Sequence, residues 1–221
     1  MNVQEMFVQA FRDELRKEEI KTGFAVEDFK VGGRKTKARP FGEDVEFWLE
    51  EGVRQIQGFI NWYEDSGWSI ATLDDRPAIE WEAEVTFGGR PVRMVVDAVL
   101  VDKSGDLVIV DHKTGNKTPS SSLQLALYGA GIRRSLGVDI KYGSYFMTRK
   151  GELSGLEDLH LYDEDWFDAW FASINKQIDM NIFVPSIDTH CSWCSVSEYC
   201  AAVGGSKSSD YPLMMKKGSS K

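Results

Sequence analysis

The chain has 221 residues, 42% hydrophobic and 12% aromatic, enough to bury one substantial core without demanding a second full domain. No run approaches the length of a membrane span, and the N-terminus lacks the apolar centre and small-residue cleavage site of a signal peptide, so a cytoplasmic protein with no membrane partner is expected. A formal net charge of -9 excludes a simple electrostatic nucleic-acid coat, and the basic residues are clustered instead: Arg34, Lys35, Lys37 and Arg39; Arg133 and Arg134; Arg149 and Lys150; and the tail lysines.

Residues 3–19 carry Val3, Met6, Phe7, Ala10, Phe11 and Leu15 at helical spacing, and an amphipathic helix is predicted there. A Gly- and Lys-containing loop at 32–40 precedes a long second helix marked by Val45, Trp48, Leu49, Val53, Ile56, Phe59, Ile60 and Tyr63. From Ile79 the period changes to two: Ile79, Trp81, Ala83, Val85 and Phe87 alternate with Glu80, Glu82 and Glu84, and Gly88-Gly89 makes the turn of a hairpin. Strands at 92–101 and 107–113 extend this into a meander. A helix over 120–136 then stands before another strand at 141–148, an arrangement that permits a crossover connection. An aromatic-rich helix at 164–181, a cysteine segment and a Ser/Lys/Gly tail complete the chain.

The most informative feature is a pair of carboxylates on neighbouring strands, in VRMVVDAVLV and VIVDHKTG. A tight turn between antiparallel strands brings Asp97 and Asp111 together, and two like charges at close range invite a divalent cation bound through oxygen, magnesium or manganese. Lys113, two residues beyond Asp111, points to the same side of its strand, where a cation can stabilise charge developing on a phosphate or orient the attacking water. The chemistry implied is phosphodiester hydrolysis. An ordinary ion pair at a strand end, with Asp97 a surface carboxylate, is the alternative for any isolated Asp-x-Lys. The glutamates at 80, 82 and 84 read as the polar face of a half-exposed strand, Glu80 being the one most open to another role.

The context of the triplet is richer than that alternative needs. Asp-His-Lys-Thr-Gly follows an apolar strand, an Asp lies fourteen residues upstream, and Gln124 and Tyr128 sit four apart on the next helix. The combination, over residues 80–128, resembles the RecB-like branch of the PD-(D/E)xK nucleases, whose core has an Asp on one strand, Asp-x-Lys-Thr-Gly on the next and Gln-x-x-x-Tyr on a helix. The resemblance implies an α/β fold of the restriction-endonuclease-like class, a mixed central sheet flanked by helices. It also implies metal-dependent cleavage of DNA, exonucleolytic and on single-stranded ends, in recombination or replication of a phage or bacterium, with a helicase or recombination partner. Residue by residue, Asp97 and Asp111 would ligate Mg2+ or Mn2+ with the His112 carbonyl. Lys113 would act on the water or the scissile phosphate, and Gln124 and Tyr128 would support the site or contact DNA.

Two departures qualify the match. Relatives carry an upstream cysteine and a Gly-x-x-x-His, whereas His112, His160 and His190 all lie after the first strand; Glu46 stands on a helix at a comparable place. The economical expectation is that Met1 corresponds to an internal position of longer relatives and that the metal site is incomplete. Met94 stands where relatives tend to have Gly, a side chain expected to crowd the approach of substrate.

The three cysteines, Cys191, Cys194 and Cys200, have the spacing C-x2-C-x5-C, which resembles the C-terminal iron–sulfur staple of AddB-type proteins and CRISPR-associated exonucleases. A 4Fe-4S cluster would need a fourth thiolate that this sequence lacks; zinc with His190 as fourth ligand, and unligated thiols, are the alternatives. The expected organisation is a helical region at 1–76, a nuclease core at 77–185, a cysteine staple at 186–203 and a disordered tail at 204–221. A catalytically weak or inactive module that binds DNA or protein is the rival function.

Overall fold

The computed structural model describes residues 2–210 apart from 30, 31, 34, 38 and 41; Arg34 of the first basic cluster and the tail lysines Lys216, Lys217 and Lys221 lie outside the described residues, as does the part of the expected disordered tail from 211 on, while Lys207 pairs with Glu198. Helix α1 (Val3–Thr22) opens on a capping box in which Asn2 accepts the Glu5 N–H and Glu5 accepts the Asn2 N–H, and Gly23 closes it in the left-handed conformation. Helix α2 (Val45–Ser66) starts at Asp44, whose carboxylate accepts the Phe47 N–H.

Short strand β1 (Ser69–Ile70) is followed by β2 (Thr72–Leu73) and β3 (Arg76–Pro77), a hairpin not foreseen from the sequence because two-residue strands are too short to show a period. Its turn residues Asp74 and Asp75 both have positive φ, 50° and 57°, the handedness that suits two-residue hairpins. Strands β4 (Ile79–Phe87), β5 (Arg90–Val101) and β6 (Leu107–Lys113) form the expected antiparallel meander. Helix α3 (Leu123–Leu136) then crosses over to β7 (Tyr142–Met147), which pairs in parallel with β6. Edge pieces β8 (Glu152–Leu153) and β9 (Glu157–Asp158) pair antiparallel with β7, and helix α4 (Glu164–Asp179) follows. The result is the mixed α/β class predicted, with sheet order β1-β5-β6-β7-β8, β4 also on β5 and β9 also on β7.

The two faces of the sheet follow from the pleat. Ala98, Leu100, Val108, Val110 and Phe146 form one buried face, packed by Phe59, Trp62 and Tyr63 of α2. The opposite face carries Gly143 and Tyr145, and Leu125 of α3 packs against Gly143, where a Cβ would approach within 3.2 Å. Paired residues Asp111 and Tyr145 share the α3 face, while His112 and Phe146 turn toward α2.

The alternation expected along β4 fails at its start. Glu80 has φ +47°, a left-handed residue that shifts the phase, so Ile79 and Glu80 are both exposed before Trp81 turns inward. Met94 is buried in the core.

The chain folds as two compact units, residues 1–83 with 94–162, and 84–93 with the chain from 163 on. In the second, the Gly88-Gly89 turn lies against the backbone of α4: Asp168 accepts the Gly88 N–H at 2.9 Å and Asn175 donates to the Gly88 carbonyl at 3.0 Å. The cysteine segment runs in short 3-10 turns, Thr189–Trp193, Ser197–Tyr199 and Ala201–Val203.

Candidate active site

The first unit brings Asp97, Asp111, His112, Lys113, Gln124 and Tyr128 to one place. Pairing of β5 with β6 runs to Ala98–Val110, and beyond it the His112 N–H donates to Asp97 Oδ2 at 2.8 Å; the carboxylate takes over a backbone donor where the ladder stops. His112 Nδ1 stands 3.6 Å from the same oxygen, with its ring against Phe59 and Phe146. Asp111 is only 2% exposed, and Lys113 Nζ lies 2.7 Å from its Oδ2. That approach is off axis: Oδ2 gains the charge of the ammonium but accepts no aligned hydrogen bond. Burial pushes the Asp111 carboxyl above its ordinary range, Lys113 opposes the push, and the negative charge of Asp97 adds to it.

From Lys113 a chain of hydrogen bonds continues onto α3. Its Nζ donates to Gln124 Oε1 at 3.0 Å, and Gln124 Nε2 donates to the Tyr128 hydroxyl at 2.8 Å, so the two helix residues four apart act in series on the lysine. Lys113 also faces the Tyr145 ring at 5.5 Å. Burial, with Asp111 nearby, pushes the Tyr145 phenol up to about 12, and its hydroxyl donates to the Ser121 carbonyl at 2.8 Å.

Sequence reasoning missed a second network, on α2. The Thr148 N–H and hydroxyl donate to the Lys113 carbonyl at 3.1 and 3.2 Å, and the same hydroxyl reaches the buried Gln55 Oε1 at 2.5 Å. Gln55 Nε2 donates to Glu51, which also holds Arg54 through both carboxylate oxygens, at 2.6 and 2.9 Å. Arg54 donates onward to the Arg149 carbonyl, and Arg149 Nε donates to the Thr114 carbonyl at 2.8 Å. Arg54 and Gln55 hydrogen bonds draw the Glu51 carboxyl down to about 2, against the opposing effect of burial. The one available signal was a glutamine on the apolar stripe of a helix, a polar residue that needs a partner once buried. Glu46, at the helix start, instead lines a cavity with Arg39, Asp44 and Glu50.

Two carboxylates, one of them buried with an unmatched oxygen, beside a tethered lysine make a constellation suited to charge built on a phosphate. The PD-(D/E)XK nuclease superfamily model matches residues 6–201. The chain belongs to this superfamily. Two phage proteins are similar to it: the Gene 69 protein of Mycobacterium phage D29, 32% identical over 164 residues, which cover 71% of this chain and 60% of that protein, and the Gene 69 protein of Mycobacterium phage L5, 28% identical over 183 residues, covering 71% and 62%. The chain thus spans about three-fifths of the length of these relatives. A solved structure, that of SSO0001, is similar over 70% of each chain with a TM-score of 0.41 and 13% identity.

PD-(D/E)XK nucleases generally use divalent metal, and the residues of this chain fit one. Asp111 Oδ2 is buried without an aligned donor, and Asp97 faces the same strand end. Among the described residues no three His, Cys, Asp or Glu side chains gather as ligands. An ion at this site would have two carboxylates from the protein and fill its other positions with a backbone carbonyl, water and substrate oxygens, the mode magnesium accepts. The same statement covers Cys191, Cys194 and Cys200, which form no disulfide: no three-donor set gathers among them and His190, whose Nδ1 pairs with Asp188 at 2.9 Å. His160 pairs with Asp139, away from the carboxylates of the site. No helix among the described residues is long and apolar enough to cross a membrane.

Proposed function

We propose that this chain hydrolyses DNA phosphodiesters in the cytoplasm of a phage-infected bacterium, as a magnesium- or manganese-dependent exonuclease of RecB-like type working on single-stranded ends in recombination or replication, beside a helicase or recombination partner. The observation that carries the reading is Lys113, whose ammonium is held between Asp111 at 2.7 Å and Gln124 at 3.0 Å beside the Asp97 carboxylate. Asp97, Asp111 and the His112 carbonyl are the metal ligands in this reading. A divalent ion bound there supplies Lewis-acid polarisation of the phosphate and raises the acidity of the attacking water.

The protein groups do the rest. Asp111 holds Lys113 against the strand end, and Gln124, oriented by Tyr128, holds it from the other side. The ammonium is thereby fixed where negative charge develops on the phosphate oxygens, which is worth more than a mobile cation because no reorganisation is needed at the moment of reaction.

The test is degradation of end-labelled single- and double-stranded DNA with magnesium or manganese. Cleavage by the wild-type chain that falls at least about 100-fold in Lys113→Ala supports the reading, a loss of the size expected for a lone charge-stabilising donor. Equal cleavage by both sinks it. A second reading, a weak or inactive module that binds DNA or protein, is favoured by the absence of a third acidic or histidine ligand among the described residues. DNA binding without cleavage under either metal would put it first. In the proposed reading the cysteines belong to a structural metal staple, iron–sulfur or zinc, whose remaining ligand lies outside the three thiols of this sequence. Iron and zinc content of protein purified without air decides between cluster, zinc and free thiols.

A further inference from the structure

We propose that Arg149 binds a backbone phosphate flanking the one being cut, an assignment that rests on the nuclease reading above. Its guanidinium is held from several sides. Nε donates to the Thr114 carbonyl at 2.8 Å, one residue beyond Lys113; the plane lies over the Trp48 ring at 4.9 Å; and the Arg149 carbonyl accepts from Arg54 at 3.1 Å. The two terminal nitrogens are left over: among the described residues they make no hydrogen bond and no ion pair.

Four other arginines of the chain pair with carboxylates. Arg54 holds Glu51, Arg90 holds Asp179, Arg133 holds Asp139 and Arg76 holds Asp74. Glu51 is the carboxylate that feels Arg149, and Arg54 already occupies both its oxygens. A protein of net charge -9 that immobilises one guanidinium beside its candidate site and gives it no anion has left a place for an anion from outside. The free edge of a guanidinium is a planar fork that matches two oxygens of one phosphate, and the stacked, tethered stem removes most of the entropy lost on binding. The chemical class of ligand is therefore the phosphodiester of a polynucleotide strand. Its point of attachment next to Lys113 makes it the same strand that is cut.

The experiment uses the full chain in a Lys113→Ala background with magnesium, and reads equilibrium binding of a fluorescent single-stranded oligonucleotide across a salt series. Arg149→Met is expected to weaken binding about tenfold at low salt, the effect of one charged hydrogen-bonded contact, and to reduce the slope of log affinity against log salt by about 0.7, the value for one phosphate on a single strand. Arg149→Lys keeps the slope and recovers part of the affinity, because charge is kept and the fork is lost. Gln55→Leu loosens the α2 network around Thr148 without removing charge, and leaves the slope unchanged.

An unchanged slope in Arg149→Met overturns the assignment, as does an equal fall of slope in Gln55→Leu or an absence of binding by the Lys113→Ala parent. Failure of the nuclease reading shows separately, in wild-type chain that cuts no DNA, while the salt series still reads Arg149.

Discussion

Asp111 is held at a cost. A carboxylate that is nearly out of water, with one oxygen lacking an aligned donor and a second carboxylate close by, destabilises the metal-free fold, and its neighbour Lys113 offsets only part of this. Asp111→Asn keeps the shape and removes the charge, so it is expected to raise the metal-free melting temperature by about 2–4 °C, the shift for roughly 1 kcal/mol in a chain of this size. On the proposed nuclease reading the same change is expected to abolish cleavage, and magnesium should then raise the melting temperature of the wild type but not of Asp111→Asn, a contrast a thermal-shift titration reads directly. Glu51 has the opposite sign. Its carboxyl lies at about 2 in the folded protein against an ordinary 4.5, so its contribution to stability is full above pH 4.5 and is lost as pH falls toward 2. Glu51→Gln should therefore show a shallower acid limb than wild type in that window when unfolding is followed by circular dichroism.

Between elements, the end of β6 is fixed from both faces, by Gln124 of α3 through the Lys113 ammonium and by Gln55 of α2 through Thr148 and the Lys113 carbonyl. Thr148→Val removes only the hydroxyl, and turnover should fall about tenfold with little change in KM, the loss expected when a reacting group is misplaced rather than removed. Thr148→Ser should retain most of the activity, and equal turnover in Thr148→Val and wild type would argue that the clamp is structural alone. The α4 contact is of another kind. Gly88 has φ +58° and a Cβ there would meet the Ala172 backbone nitrogen at 2.2 Å, with no flexible side chain to yield, so Gly88→Ala should destabilise the protein by about 3 kcal/mol in denaturant unfolding. The sequence made the strand-side half of this arrangement legible because a Gly-Gly turn and an Asp-x-Lys at a strand end are local signals. The α2 half was not, since Gln55 and Thr148 are 93 residues apart and neither belongs to a short pattern.

Across the molecule, the long elements were readable from periodicity alone, and the misses fall where the period is short or broken: two-residue strands at 69–77 and 152–158, and the left-handed Glu80 that undoes a strict alternation. The superfamily was legible for a different reason, that its chemistry requires particular residue types at one strand end and on the next helix, and those sit within 80–128. Metal stoichiometry is not legible in this way, because ligands supplied by backbone, water and substrate would leave no letter in a sequence. The parallel pairing of β6 with β7 has a consequence in time as well as in space. Asp97, Asp111 and Lys113 leave the ribosome before α3 supplies Gln124, and well before β7 and Thr148 arrive to fix the lysine's backbone against an α2 made long before. Non-local contacts of this kind form late in folding. A nascent or half-folded copy therefore carries the acidic residues without the geometry, and on the proposed nuclease reading any capacity to cut would be withheld until the core has closed.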